Sequence, residues 1–354
     1  MRWLPARRYN APMTLIPASS DHFDRADRSS SWRPERPTTG LPVGLTVEDA
    51  RRIAEALEAS HAESTRLLYA HVWRVWERWC DHRGIRALPA DPAALAAYLV
   101  ERAAEGTAVV SLNMARTAIR HVHRQHGLPN PAETELVRQV QLGLRRTYGV
   151  APKRLARPLT VADVGQIVAA IDRTKPIGVR DAAIILLGFA SAMRGSELAH
   201  LRLADVTFKP AGLLLTIRQS KTDQEGYGQL VAVARGAHPL TDPVGALSAW
   251  LWIRGGEPGA LFTRIWHRRI SDQPLGNMVV ARMLRERAVA AGLDGTRITA
   301  HSLRAGHATS AAMAGVPLSR IAAQTRHKDI GVLVNRYIRP MEALEMTSSK
   351  DLGL

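Results

Sequence analysis

The sequence predicts a mainly α protein with a small antiparallel sheet, arranged as a helical domain followed by an α+β domain. Three observations predict it. The chain has 354 residues, more than one hydrophobic core usually organises, so two domains are expected. From Thr46 to about Tyr148 strong helix formers dominate, and apolar residues recur at three and four. Between Val206 and Ala234 the period changes to two, in runs rich in Val, Leu, Ile and Thr.

Residues 1–43 are rich in Arg, Ser, Pro and Asp and lack hydrophobic periodicity, so they are expected to be a disordered basic tail without a secretory signal. The helical domain is expected over 44–148. Within it, Ser64 to Cys80 sets Leu68, Val72, Val75, Trp76 and Trp79 along one stripe, with Arg66, Arg74 and Arg78 elsewhere and Ser64 or Thr65 as the cap. Asp91-Pro92 opens the next helix and Glu105-Gly106 closes it. Ser111 to His126 carries Arg116, Arg120 and Arg124 at intervals of four. Such a ridge is either a solvated face or one that meets phosphates. Residues 149–159, with prolines among Lys153, Arg154 and Arg157, read as a basic extended linker able to follow a phosphate backbone.

The second domain is expected over 160–345. Thr160 and Asp163 form a capping box, and Ala182 to Met193 reads as a buried helix. Val206 to Phe208, Leu213 to Arg218 and Leu230 to Ala234 are the strands, with Asp223 to Gly228 as a turn between the last two. Everything after Asp242 is expected to be helical, ending in a tail over 346–354.

The formal charge of +16 with 46% hydrophobic residues describes a folded protein that attracts polyanions, nucleic acid first. A membrane surface is the weaker partner, because Arg is spread along the chain instead of on one helix face. Cys80 is the only cysteine, which excludes an internal disulfide and a thiolate metal cluster and fits a cytoplasmic, nucleoid-associated protein.

Moving a phosphodiester between hydroxyls without a metal calls for a nucleophile, cations aimed at the non-bridging oxygens and a proton donor for the leaving oxygen. Arg194 follows an apolar helix, and Glu197 lies one turn on, placed to hold its guanidinium. A structural ion pair is the alternative there. His301 and Arg304, three apart, share a helix face that offers a proton carrier and a two-pronged oxygen ligand. His307, before a run of small residues, reads as packing. Downstream, His327 precedes Tyr337, whose neighbours Arg336 and Arg339 favour the phenolate. Lys221 sits in the predicted hairpin, either solvated or acting as a general acid.

In order and spacing these pieces resemble the tyrosine recombinase, or phage integrase, family over about residues 48 to 345. The resemblance implies a helical core-binding domain that clamps DNA together with a catalytic domain. It implies attack by Tyr337 on a scissile phosphate, giving a 3′-phosphotyrosyl link and a free 5′ hydroxyl with neither metal nor ATP, hence no cofactor. Arg194 and Arg304 would stabilise the phosphorane and Lys221 would protonate the leaving oxygen. His301 would assist the nucleophile, and His327 would hydrogen-bond a non-bridging oxygen. Arg66, Arg116, Arg120, Lys153 and Arg154 would meet DNA. The implied partners are double-stranded DNA with a specific site, further copies in a synaptic tetramer, and accessory DNA-bending proteins.

Two features depart from the family pattern. Arg326 stands where members commonly have glycine, and the interval from His327 to Tyr337 is one residue longer than usual. A loop or bulge between Lys328 and Val332 is expected to absorb the extra residue. Two other functions share these features: a non-catalytic helix-turn-helix regulator, suggested by Ala311 to His327, and a type IB topoisomerase using the same tyrosine chemistry.

Overall fold

The computed structural model describes residues 44–59, 62–151, 155–218, 228–266, 269–327, 329–336, 349, 352 and 353. The chain divides into two compact units between Val150 and Ala151. The basic tail over 1–43, Lys153, Arg154, Lys221, Tyr337 and most of the tail after it lie outside the described residues.

The first unit is built from α1 (Val47–Ala59), α2 (Glu63–His82), α3 (Pro92–Ala104), α4 (Val109–Gln125) and α5 (Glu135–Tyr148). Helix α3 packs on α5, and α2 on α4. The Asp91 carboxylate accepts from the N–H groups of Ala93 and Ala94, with Pro92 in the first turn, as its sequence dictates. Helix α2 corrects two expectations. It starts from Ala62 without a side-chain cap, so neither Ser64 nor Thr65 serves. Its buried stripe is Trp73, Trp76 and Cys80, with the expected Val72 and Trp79 packed against the same core, while Leu68 is 41% exposed. Indoles bury the most area, and they turn the helix toward themselves. Trp76 stacks on Trp79, and Tyr98 of α3 meets both rings edge-on. In the same core His123 donates from Nδ1 to the Ile119 carbonyl and accepts at Nε2 from the Ala90 N–H, which fixes a neutral imidazole.

The second unit runs α6 (Val161–Ala169), α7 (Pro176–Ser191), α8 (Gly195–His200), β1 (Val206–Lys209), β2 (Gly212–Ile217) and β3 (Gln229–Ala234). It continues through α9 (Pro243–Arg254), β4 (Thr263–Trp266), β5 (Arg269–Pro274), α10 (Asn277–Ala290), α11 (His301–Met313), α12 (Leu318–Thr325) and α13 (Ile330–Arg336). Thr160 and Asp163 cap α6 reciprocally. Helix α7 is the central element, buried throughout from Gly178 to Gly188, with α9, β3 and α11 packed on it. The antiparallel sheet pairs Leu213 with Val233 and Leu215 with Val231, and these four side chains supply its buried face.

The fold is thus mainly α with small antiparallel sheets. The hairpin β4–β5, which pairs Ile265 with Ile270, stands where only helix was expected. Each strand holds a single isoleucine, next to Trp266 in β4 and among charged and polar residues in β5, a pattern too short to stand out from helix by period alone.

Two features stiffen this unit. The Asp181 carboxylate, on α7, takes guanidinium N–H groups from Arg180 and from Arg287 of α10, each approaching to 2.7 Å. The end of the expected linker is also fixed here. The Arg157 N–H donates to the Arg297 carbonyl and the Leu159 N–H to the Ser302 carbonyl, and Leu159 is fully buried. Gly306 makes that approach possible, since a Cβ there would stand 1.8 Å from the Leu159 oxygen.

Candidate active site

Helix α7 stops at Ala192, which takes a left-handed conformation with φ 50°, and the chain turns so that Arg194 heads α8. The Arg194 N–H donates to Glu197 Oε2 at 2.8 Å, and its guanidinium donates to Oε1 at 2.5 Å. The carboxylate is 2% exposed and the Arg194 side chain 20%, so this cation faces outward from a fixed, desolvated partner. Gly195 permits the placement. A Cβ on it would lie 2.4 Å from that of Ala300, the residue before His301.

His301 begins α11 at the exposed rim, and Arg304, one turn deeper, is fully buried. Arg304 donates through Nη1 to the Ala192 carbonyl at 2.8 Å, and its Nη2 lies 3.3 Å from His327 Nε2. The left-handed Ala192 is what aims that carbonyl. Ala192 and Arg326 are the two non-glycine residues of positive φ among those described, and both border this site. Each carries about 1–2 kcal/mol of backbone strain.

His327 follows Arg326 at the end of α12. The Thr325 hydroxyl donates to the Ile321 carbonyl at 2.6 Å, so its oxygen accepts from His327 Nδ1, 2.7 Å away. That leaves Nε2 with its lone pair toward Arg304. Burial, and then the charges of Arg304, Arg194, His301 and Arg326, push the His327 pKa down to about 4. Arg194, Glu197, His301, Arg304 and His327, expected together from sequence, are therefore brought together from α8, α11 and the end of α12. The arrangement gathers the Arg194, Arg304 and Arg326 guanidinium groups and His301 around a half-buried imidazole whose lowered pKa keeps it neutral near pH 7.

The remaining expected residues fall elsewhere. Arg66 lies on α2, and Arg116 and Arg120 lie half-buried on α4, all in the first unit. Burial and the neighbouring Arg120 lower the Arg116 pKa. His307 donates to the Phe189 carbonyl and packs on its ring, joining α11 to α7. Asp329 stands outside helix, and its carboxylate accepts from the Gly331 N–H. Helix α13 runs from Ile330, so Val332 is helical and Asp329 is not, while Lys328 lies outside the described residues. Sequence reading missed Thr325, which sets the imidazole, and Arg326, whose Nη2 donates to Glu197 Oε2. The signal for Arg326 was its place at a position favouring glycine.

The model of the phage integrase family matches residues 157–343, over half of the chain. The chain belongs to the phage integrase family. As a member, it is a site-specific tyrosine recombinase. It is 34% identical over 297 residues to an integrase/recombinase XerD homolog of Selenomonas ruminantium, a match spanning 83% of this chain and 85% of the relative. It is 24% identical over 324 residues to the recombinase Cre of Escherichia phage P1, spanning 86% and 92%. In fold it resembles a lambda integrase dimer bound to a COC′ core site, with a TM-score of 0.56 at 19% identity over 84% of this chain and 98% of that one. The regulator suggested by Ala311 to His327 gives way to this family: α11, a turn at Gly315 and α12 have that order, but the second helix ends by delivering His327 to Arg304.

Proposed function

We propose that the Arg194–Arg304–His327 cluster binds the scissile phosphate of a specific duplex site and that Tyr337 attacks it, leaving a 3′-phosphotyrosyl intermediate. The observation that carries this reading is the concentration of guanidinium groups around one half-buried imidazole, with Arg304 Nη2 3.3 Å from its Nε2. Arg194 and Arg304 would stabilise charge on the non-bridging oxygens, in a site where desolvation strengthens each contact. The arriving phosphate offsets the cations that suppress His327 protonation. Its proton affinity then rises, and Nε2 gains the proton it needs to donate to a phosphoryl oxygen. His301, at the rim, assists proton movement at the nucleophile, and Lys221 protonates the leaving 5′ oxygen. The bond energy stays in the phosphotyrosyl ester, so the proposed chemistry calls for neither metal nor ATP.

The proposed partner is double-stranded DNA, consistent with the DNA-bound lambda integrase it resembles and with a net charge of +16. Arg66, Arg116, Arg120, Lys153 and Arg154 would hold its phosphates. Exchange joins four ends from two duplexes, so the working assembly would be a tetramer acting in the cytoplasm on the nucleoid, aided by DNA-bending proteins. A target duplex can be selected from a random pool by binding to the Tyr337→Phe protein. Denaturing gels should then show a covalent adduct with the unaltered chain and none with Tyr337→Phe. An adduct that persists in the variant would move the nucleophile elsewhere.

A further inference from the structure

We propose that Arg326 is a positioning residue for the phosphoryl transfer, setting Arg194 through Glu197 and setting His327 through its own backbone. The inference rests on the reading above that Arg194 and His327 meet the phosphate. The Glu197 carboxylate is shared: Oε1 accepts from the Arg194 guanidinium, while Oε2 accepts from the Arg194 N–H and from Arg326 Nη2. All of this is desolvated, with the Glu197 side chain 2% and the Arg326 side chain 6% exposed.

Stability alone does not account for an arginine at this position. Its Nε is buried without a hydrogen-bond partner, its Nη1 reaches the Gln324 carbonyl only at 3.5 Å, and burial lowers its pKa. Its φ of 56° suits glycine better than any side chain. Desolvation and backbone both oppose it.

What the side chain supplies is a second cation on Glu197. Without Arg326 the carboxylate is held by Arg194 alone, through its N–H and its guanidinium, whereas the Arg326 guanidinium ties it to the end of α12 as well. Arg194 then presents its free donors from a defined place. The base of Arg326 is equally defined, because Gln324 Nε2 donates to the Ala190 carbonyl at the end of α7 and to the Ala232 carbonyl of β3. The residue next to Arg326 is His327, so one side chain ties the α8 cation and the α12 imidazole to a common frame.

The test is single-turnover adduct formation on the selected duplex, with DNA affinity and folding measured on the same proteins. Adduct from the unaltered chain, absent from Tyr337→Phe and slowed in Arg194→Gln and in His327→Gln, establishes the underlying reading independently. Arg326→Gly and Arg326→Asn both accept a left-handed backbone. Each is expected to slow cleavage by about 10- to 100-fold, as misplacement by a fraction of an ångström does. Their DNA affinity should stay within about twofold of the unaltered chain. Arg326→Lys, which keeps the cation, should recover most of the rate. In a Glu197→Gln background, Arg326→Gly should add less than about threefold, because both act through one contact. Folded variants cleaving at the original rate would overturn the proposal. So would losses that track affinity, losses that multiply with Glu197→Gln, or failure of both the Gly and Asn proteins to fold.

Discussion

The interior of the first unit is aromatic and electrically quiet, whereas that of the second is aliphatic and crossed by charge. Around Trp76, Tyr98 and Ile119 the one polar side chain buried among the described residues is His123, and its hydrogen bonds keep it neutral. The second unit buries Arg180, Asp181, Glu197, Asp205 and Arg304. Each buried ion carries a desolvation cost of several kcal/mol unless it is paired. The difference shows two uses of cations. The first unit keeps them exposed or half-buried, Arg116 and Arg120 among the latter, where water still screens them. The second takes them inside, where a single phosphate would feel them strongly.

Breaking the charged interior should have the largest effect. Asp181→Asn leaves Arg180 and Arg287 without their shared carboxylate and should destabilise the chain by about 3–5 kcal/mol in urea unfolding. A change below about 1 kcal/mol would show that this ion pairing is dispensable. Arg304→Lys keeps a charge but loses the fork that spans the Ala192 carbonyl and His327. Adduct formation should fall about 10²–10³-fold with DNA affinity nearly unchanged.

The quiet interior should respond to pH. Burial holds the His123 pKa below its ordinary 6.5. The unfolded chain therefore binds that proton more readily, so the stability contributed is complete above about pH 6.5 and is lost as pH falls below it. His307 and His327, both also lowered, act in the same direction from the second unit. His123→Gln should flatten the acid slope of stability by the share that belongs to the first unit, and an unchanged slope would place that sensitivity in the second. The smallest effect belongs to the outer cations. Arg120→Gln should leave cleavage at saturating DNA intact and reduce the salt dependence of binding by about 0.9 in log–log slope if it meets one phosphate.

Much of this architecture is legible in the sequence where local chemistry is unambiguous. Asp91-Pro92 and the Thr160–Asp163 box mark helix starts because the orphan N–H groups there accept few other solutions. The strands β1 to β3 declare themselves by alternation, since the Leu213, Leu215, Val231 and Val233 side chains must all point one way. In the site, Arg194 with Glu197 and His301 with Arg304 are readable because each pair lies within one helical turn.

What stays hidden depends on partners remote in sequence. Trp73, Trp76 and Cys80 recur at three and four like their neighbours Leu68, Val72, Val75 and Trp79, and the choice between the two stripes is made by His123 beside Trp73 and Tyr98 beside Trp76. Arg180 and Asp181 look like the polar start of an apolar helix until Arg287 arrives from α10. Arg326 reaches Glu197 across 129 positions of chain, and Thr325 matters only once the His327 ring is turned toward it.

The contact between Leu159 and α11 has a mechanical side. Residues 155–159 end by gripping the backbone between Ser302 and Gly306, directly across the turn that carries Arg304. Tension along residues 155–159 would reach the Arg297 carbonyl first, through the Arg157 N–H, and then the first turn of α11, ahead of Arg304, as a pull on the main chain.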